Sequence, residues 1–142
     1  MNSDSDQSVS ARLADALIYF VLAALVIAAG LVLRLVPLRL SAFTVKYGGS
    51  VLWAAMVYLL LAGCLPRQRR LTVALIAAVI AALVELSRLY HSPGLDAFRL
   101  TRAGILLLGR VFSGWHFAIY WATIALVAAA DWRVRRRRRI AA

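Results

Sequence analysis

The chain has 142 residues, of which 63% are hydrophobic and only 16% are charged, and its mean hydropathy is +0.81. This composition is too apolar for a soluble domain of that length, and it indicates a protein of the lipid bilayer. The formal charge of +11 arises from 17 basic and 6 acidic residues. Such a charge suits nucleic acid, anionic lipid or a topology signal, so its meaning depends on where the basic residues lie.

Four apolar runs are long enough to cross the hydrocarbon core, which takes about 20 helical residues. The third run carries Glu85 and Arg88 near its end, and the fourth carries His116 near its start. We therefore predict an all-α fold, an integral membrane bundle of four transmembrane helices in a single domain over residues 14–132. A polar tail over 1–13 precedes it and an Arg-rich cytoplasmic tail over 133–142 follows. The predicted spans are residues 16–33, 48–65, 71–90 and 114–130.

Residues 96–112 are too charged to span the bilayer. At 100° per residue, Asp96, Arg99, Arg102 and Arg110 fall within an arc of about 120°, which predicts an amphipathic interfacial or re-entrant helix. Asp96 lies where its side chain can cap that helix. The arginines either reach lipid head groups by snorkelling or form a pocket that binds a phosphate or carboxylate.

The basic residues also predict an orientation. Short connections on the side of both termini hold ten Lys and Arg residues, and those on the opposite side hold seven. The positive-inside rule then predicts a multi-pass protein of the bacterial inner membrane with both termini in the cytoplasm. The first and third loops share the outer face, because two spans separate them. Seven basic residues on a translocated face require a further explanation.

That outer face collects the candidate site residues. Glu85 and His116 are the candidates for acid–base chemistry, since a carboxylate at the end of a membrane helix normally has a partner. Arg88 is its nearest partner along the chain, either as a structural ion pair or as a cation inside a pocket. The candidate ligand-binding residues are Arg34, Lys46, Tyr47, Arg88, Asp96, Arg99 and Arg102.

No metal or other cofactor is predicted. His91 and His116 do not have the spacing of a metal-ligand motif, although His116 and Tyr120 lie one helical turn apart. The sequence also has no phosphate-binding loop and no nucleophile elbow. The arginine run 135–139 abuts the bilayer, which indicates a contact with membrane lipids and not with nucleic acid.

Several motifs resemble a small bacterial membrane family catalogued as domain of unknown function 2809. They are RLVPL from Arg34, KYGG from Lys46 with Leu52 and Trp53, ELSRLY from Glu85, and Leu95, Asp96, Arg99, Thr101, Arg102, Gly104 and the LLG from Leu107. The resemblance extends to about Tyr120 and implies a multi-span membrane protein without an assigned activity. It leads us to expect glutamine where the chain has Arg88 and aspartate where it has His116. A more distant similarity is to VanZ-like proteins, associated with teicoplanin resistance, which place a glutamate at a helix end before a loop with an aspartate.

Three functions are compatible with these patterns. The first is binding of an anionic lipid or glycolipid head group by Arg34, Lys46, Arg99 and Arg102 on the outer face. The second is an enzyme acting on a lipid-linked phosphate, and the third is a small transporter or channel. Small residues in the spans permit close packing within one chain or between copies of it, so the sequence is compatible with both a monomer and a homo-oligomer.

Overall fold

In a computed structural model of the protein, which describes residues 3–37, 39–108 and 112–141, the regular structure is helical. Four long helices each hold a segment long and apolar enough to cross a membrane: Leu13–Leu35, Phe43–Cys64, Arg70–Ser87 and Gly114–Arg137. The predicted all-α bundle of four membrane helices is thereby confirmed. The helices are α1 (Ser3–Leu35), α2 (Ala42–Cys64), α3 (Arg70–Ser87), α4 (Pro93–Leu100), α5 (Arg102–Leu107) and α6 (Gly114–Ala141).

The first and last helices run beyond the predicted spans. Helix α1 begins at Ser3, inside the segment predicted to be a polar tail, and α6 continues to Ala141 through the arginine run. A helix satisfies its own backbone hydrogen bonds, and arginine is a good helix former, so charge does not end either helix. Hydropathy marks the part of a helix that suits lipid, which is shorter than the helix itself.

The segment predicted as one amphipathic helix forms two short helices instead. Ser92 caps α4 by accepting a hydrogen bond from the Leu95 N–H at 3.4 Å, a role the sequence assigned to Asp96. Thr101, with ψ at 156°, ends α4 and caps α5 through the Gly104 N–H. A side chain at Gly104 would collide with the backbone of α4, so glycine permits this corner. Arg110 lies outside the described residues.

Helix α2 is the centre of the bundle and contacts α1, α3 and α6, while α3 also contacts α6. Small residues lie at these contacts: Ala54, Ala77 and Ala81 have no exposed surface. Small side chains let helix backbones approach closely, which favours association where burial from water is not the driving force.

The outward surface of the bundle is apolar. On α1, Tyr19 and Ala23 are buried, whereas Leu17 and Leu25 are each more than 60% exposed. A continuous apolar surface of this kind is expected where a helix faces lipid chains.

The antiparallel arrangement gives the bundle two polar ends. We call them the Glu85 end, where α1 and α3 finish and α2 and α6 start, and the Asp131 end, at the opposite side. At the Glu85 end, Arg34, Lys46 and Arg88 line one cavity, so the connections that follow α1 and α3 lie on the same side of the bundle, as their parity predicts.

Candidate functional site

The Glu85 end is organised around a carboxylate with no exposed surface. Glu85 Oε2 accepts a hydrogen bond from Arg88 Nη1 at 2.5 Å, and Oε1 accepts one from the Ser113 N–H at 2.9 Å. His116 Nδ1 lies 3.1 Å from Oε1. A buried carboxylate needs compensation of this kind, and here it joins the end of α3 to the start of α6.

Arg88 is the second member of this network and its side chain is only 8% exposed. Its Nε donates to the Leu108 carbonyl at 2.6 Å, and its Nη2 donates to the Tyr120 hydroxyl at 3.2 Å. The planar guanidinium group therefore holds α3, the end of α5 and α6 in one geometry. Arg88 is the partner of Glu85 that their spacing on α3 indicates.

His116 is buried and lies within reach of both charged groups. Its Nδ1 is 2.9 Å from Arg88 Nη1, a donor, and 3.1 Å from Glu85 Oε1, an acceptor. Nδ1 without a proton accepts from Arg88, which leaves Nε2–H as a donor. Nδ1–H instead donates to Glu85, which leaves neutral Nε2 as a base. The environment of Nδ1 thus selects what Nε2 offers to a ligand.

A cavity of about 370 Å³ opens beside this network. Its lining includes Arg34, Lys46, Arg88 and His116, and it contains no acidic residue of the described chain. His116 Nε2 and Trp53 Nε1 are buried and have no hydrogen-bond partner among the described residues. Unpartnered buried polar atoms are uncommon in folded proteins. Trp53 Nε1 can only donate a hydrogen bond, whereas His116 Nε2 donates or accepts according to the tautomer. The rest of the lining is Gly49, Ser50, Ile105, Leu106, Leu107 and Tyr120.

Arg34 lies where this cavity meets an apolar groove. Its Nη1 donates to the Ile105 carbonyl at 3.3 Å, which joins the end of α1 to α5. A Cβ at Gly49 would come within 3.2 Å of the guanidinium group, so glycine lets Arg34 lie against α2. The groove has a volume of about 290 Å³, and Arg34, Gly49, Trp53, Leu106 and Leu107 line both spaces. The other groove residues are Val26, Ile27, Gly30, Leu31, Leu52, Met56 and Ala103.

Not all of the predicted ligand-binding residues reach the cavity. Arg99 is buried, and it donates to the carbonyls of Ser87 and Tyr90 and pairs with Asp96 at 3.1 Å, so it ties α4 to the end of α3. Arg102 lines a larger cavity of about 900 Å³, whose lining also includes Arg34 and Lys46. Tyr47 packs against Phe43 and meets His116 edge-on at 6.3 Å.

His91 is exposed and lies beside the Leu89 carbonyl, away from His116. Within the described ranges, no three His, Cys, Asp or Glu side chains come close enough to hold a metal ion.

Sequence reasoning missed Trp53 and Ser50 as cavity residues. Trp53 packs against Tyr120 with ring centroids 5.3 Å apart and the ring planes tilted by 46°, and both residues line the cavity. The available signal was a tryptophan in the middle of a span, because a buried indole N–H normally has a partner.

The sequence profile of a family described as "Protein of unknown function (DUF2809)" matches residues 39–124, more than half of the chain. The chain belongs to the DUF2809 family. The matched region of this DUF2809 protein includes the Glu85, Arg88 and His116 network, while Arg34 precedes it. Arg88 and His116, the two positions that depart from the pattern the resemblance led us to expect, contact one another. No solved structure matches the chain significantly.

Proposed function

We propose that this DUF2809 protein is a multi-pass protein of the bacterial inner membrane that binds an anionic lipid or glycolipid. In this proposal the head group occupies the cavity at the Glu85 end and an acyl chain follows the adjoining groove. The observation that carries it is the junction at Arg34, where a basic cavity without acidic residues meets an apolar groove.

Charge and hydrogen bonding support an anionic head group. Arg88 is compensated by Glu85, whereas Arg34 and Lys46 bring positive charge to a cavity that no carboxylate of the described chain lines. Trp53 Nε1 is a donor that has no partner among the described residues, and His116 Nε2 becomes a second donor when Nδ1 accepts from Arg88. A phosphate or carboxylate supplies acceptor oxygens for this donor set.

The apolar groove supports an amphiphile over a free anion. Apart from Arg34, the indole N–H of Trp53 and backbone atoms, its lining offers no polar group among the described residues. Burying apolar ligand surface there stabilises binding by roughly 25 cal/mol per Å². A free phosphate ion makes no use of this surface.

The first test removes the two positive charges that Arg34 and Lys46 bring to the cavity. Native mass spectrometry of the protein released from nanodiscs is expected to show that Arg34→Gln/Lys46→Gln retains anionic phospholipid at least about tenfold less than wild type, because charge-assisted hydrogen bonds are lost. Arg39→Gln is the control, since Arg39 is an exposed cation of the connection between α1 and α2 that does not line the cavity.

A second arm of the test addresses the groove. Gly30 lines the groove and a Cβ there meets no atom within 4 Å, so Gly30→Leu places a side chain in the groove space. Retention of long-chain anionic lipid is expected to fall, while a short-chain analogue with the same head group is retained as in wild type. Lipid retention unchanged by both the charge variant and the groove variant would refute the proposal.

One observation favours a second candidate, an enzyme acting on a lipid-linked phosphate. Glu85 lies beside His116 Nδ1, and the buried Nε2 has no hydrogen-bond partner in the described part of the chain. In a phosphomonoester hydrolysis, water attacks phosphorus and gives a proton to Nε2. The bond from phosphorus to the lipid oxygen breaks, and that oxygen takes up the proton.

His116→Gln separates the two candidates, because an amide can still donate a hydrogen bond but does not accept a proton at neutral pH. If the enzyme candidate holds, nanodiscs containing phosphatidic acid will release inorganic phosphate, and His116→Gln will lower the rate by about 100-fold or more. Binding of the lipid is expected to survive the substitution. An absence of phosphate release by the wild-type protein would remove this candidate and leave the binding proposal in place.

A further inference from the structure

The Asp131 end holds a second buried polar network that the sequence did not reveal. The Asp131 carboxylate, whose side chain is 9% exposed, accepts a hydrogen bond from the Tyr58 hydroxyl at 2.9 Å and another from the Tyr19 hydroxyl. It also pairs with Arg70 Nε at 3.3 Å and Arg135 Nε at 3.5 Å. One carboxylate therefore connects α1, α2, α3 and α6.

This network holds two guanidinium groups in place. Arg70 and Arg135 lie over the Tyr19 ring, 5.1 Å and 5.3 Å from its centroid, and Arg135 also pairs with Asp15 at 3.4 Å. Two carboxylates balance these two arginines. A topology signal requires only charge near the membrane, so a fixed orientation of the guanidinium groups calls for another explanation.

Beside the network lies a cavity of about 460 Å³, which we call the arginine cavity. Its lining includes Arg67, Arg69, Arg70, Arg135 and Arg136, and no acidic residue of the described chain. Arg70 Nη1 is buried and has no hydrogen-bond partner in the part of the chain that the structure describes. The carboxylates of Asp131 and Asp15 balance only Arg70 and Arg135. Arg67, Arg69 and Arg136 therefore add positive charge beyond these two pairs.

The backbone adds to the positive potential of the arginine cavity. Helix α3 starts there, its N-cap residue Arg69 makes no side-chain capping bond, and its first turn contains no acidic residue. The free N–H groups of the first helical turn and the helix dipole favour an anion at this position. Arg136 lies over the Trp132 ring at 5.4 Å, which places a further cation at the edge of the cavity.

We propose that the arginine cavity is a binding site for a phosphate-type dianion, distinct from the cavity at the Glu85 end. Five guanidinium groups share this cavity with two carboxylates of the described chain beside it, so they repel one another, and a dianion reduces that repulsion. The planar donor forks of arginine match phosphate oxygens two at a time. The phosphate belongs either to a lipid head group at the membrane surface or to a free phosphate compound.

The test uses two charge-matched double variants of the full chain. Arg67→Gln/Arg69→Gln removes two exposed cations of the arginine cavity that take no part in the Asp131 network. Arg133→Gln/Arg137→Gln removes two exposed cations of α6 that do not line the cavity. The two variants have the same net charge, so nonspecific attraction of anions falls in both.

Binding is measured at fixed ionic strength, because salt screens exposed charges. One arm titrates inorganic phosphate into protein in phosphatidylcholine nanodiscs by calorimetry, and the other follows retention of phosphatidic acid by native mass spectrometry. The cavity variant is expected to bind at least about tenfold more weakly and the control variant to stay within about twofold of wild type. The phosphatidic acid arm is carried out in the Arg34→Gln/Lys46→Gln background, which then replaces wild type as its reference, so that lipid held at the Glu85 end does not contribute. That background is expected to leave the binding of inorganic phosphate unchanged.

The two arms identify the source of the phosphate. Binding of inorganic phosphate assigns the site to a free phosphate compound, and binding confined to phosphatidic acid assigns it to a lipid. Equal losses in the two matched variants would show that only net charge matters and would overturn the proposal. The same conclusion follows if the wild-type protein binds neither probe.

Discussion

Asp131→Ala is expected to destabilise the bundle by about 3–5 kcal/mol, the usual cost of removing one partner from a buried ion pair. Arg70 and Arg135 lose the carboxylate that compensates their charge. Tyr58, which has no exposed surface, loses the acceptor of its hydroxyl group. Because these partners and Tyr19, which also donates to Asp131, lie on four different helices, the loss loosens the whole Asp131 end.

The measurement is unfolding by a denaturing detergent in mixed micelles, followed by tryptophan fluorescence. Asp15→Ala is the matched control, since Asp15 also pairs with Arg135 but its side chain is 41% exposed. Exposed ion pairs contribute about 1 kcal/mol or less, so the control is expected to change stability little. Equal destabilisation by both substitutions would contradict the central position that we assign to Asp131.

Glu85→Ala is the second substitution with a large expected effect, again about 3–5 kcal/mol of stability. It leaves the buried Arg88 charge without its carboxylate and removes the acceptor of the Ser113 N–H. It also leaves a space where a side chain with no exposed surface stood. The same detergent titration measures the loss.

A double-mutant cycle shows whether charge pairing is the cause. Glu85→Leu alone leaves a buried charge, whereas Glu85→Leu/Arg88→Leu removes both charges together. The double variant is expected to lose at least about 1 kcal/mol less than the sum of the two single variants, because partners in one network couple. Additive losses would show that Glu85 and Arg88 stabilise the bundle through separate contacts.

Local features of the sequence indicate the pairing of Glu85 with Arg88. The two residues are three positions apart near the end of one helix, and that spacing brings side chains together on any α-helix. The same chain segment does not indicate that His116 is a third member of the network. His116 lies on α6 and comes close to Glu85 only because α3 and α6 pack against each other.

The prediction of one helix over 96–112 rested on the angular position of four charged residues. The structure divides this segment at Thr101, whose side chain caps α5 and whose backbone ends α4. The division turns Arg99 toward the carbonyl groups at the end of α3, away from the cavity it was expected to join. Angular position along a helix is informative only while the helix continues.

By itself, the sequence determined which segments suit the membrane and that the first and third loops lie on the same side. Hydropathy is a property of each segment alone, and the number of spans between two loops gives the side on which both lie. The tertiary structure alone decided that Trp53 and His116 meet at one cavity, and that Asp131 collects partners from α1, α2 and α3. The reason is that such contacts depend on how each helix is rotated about its own axis and how far it is shifted along that axis relative to its neighbours. A helix that is apolar on most of its surface, such as α2, carries no local signal for either.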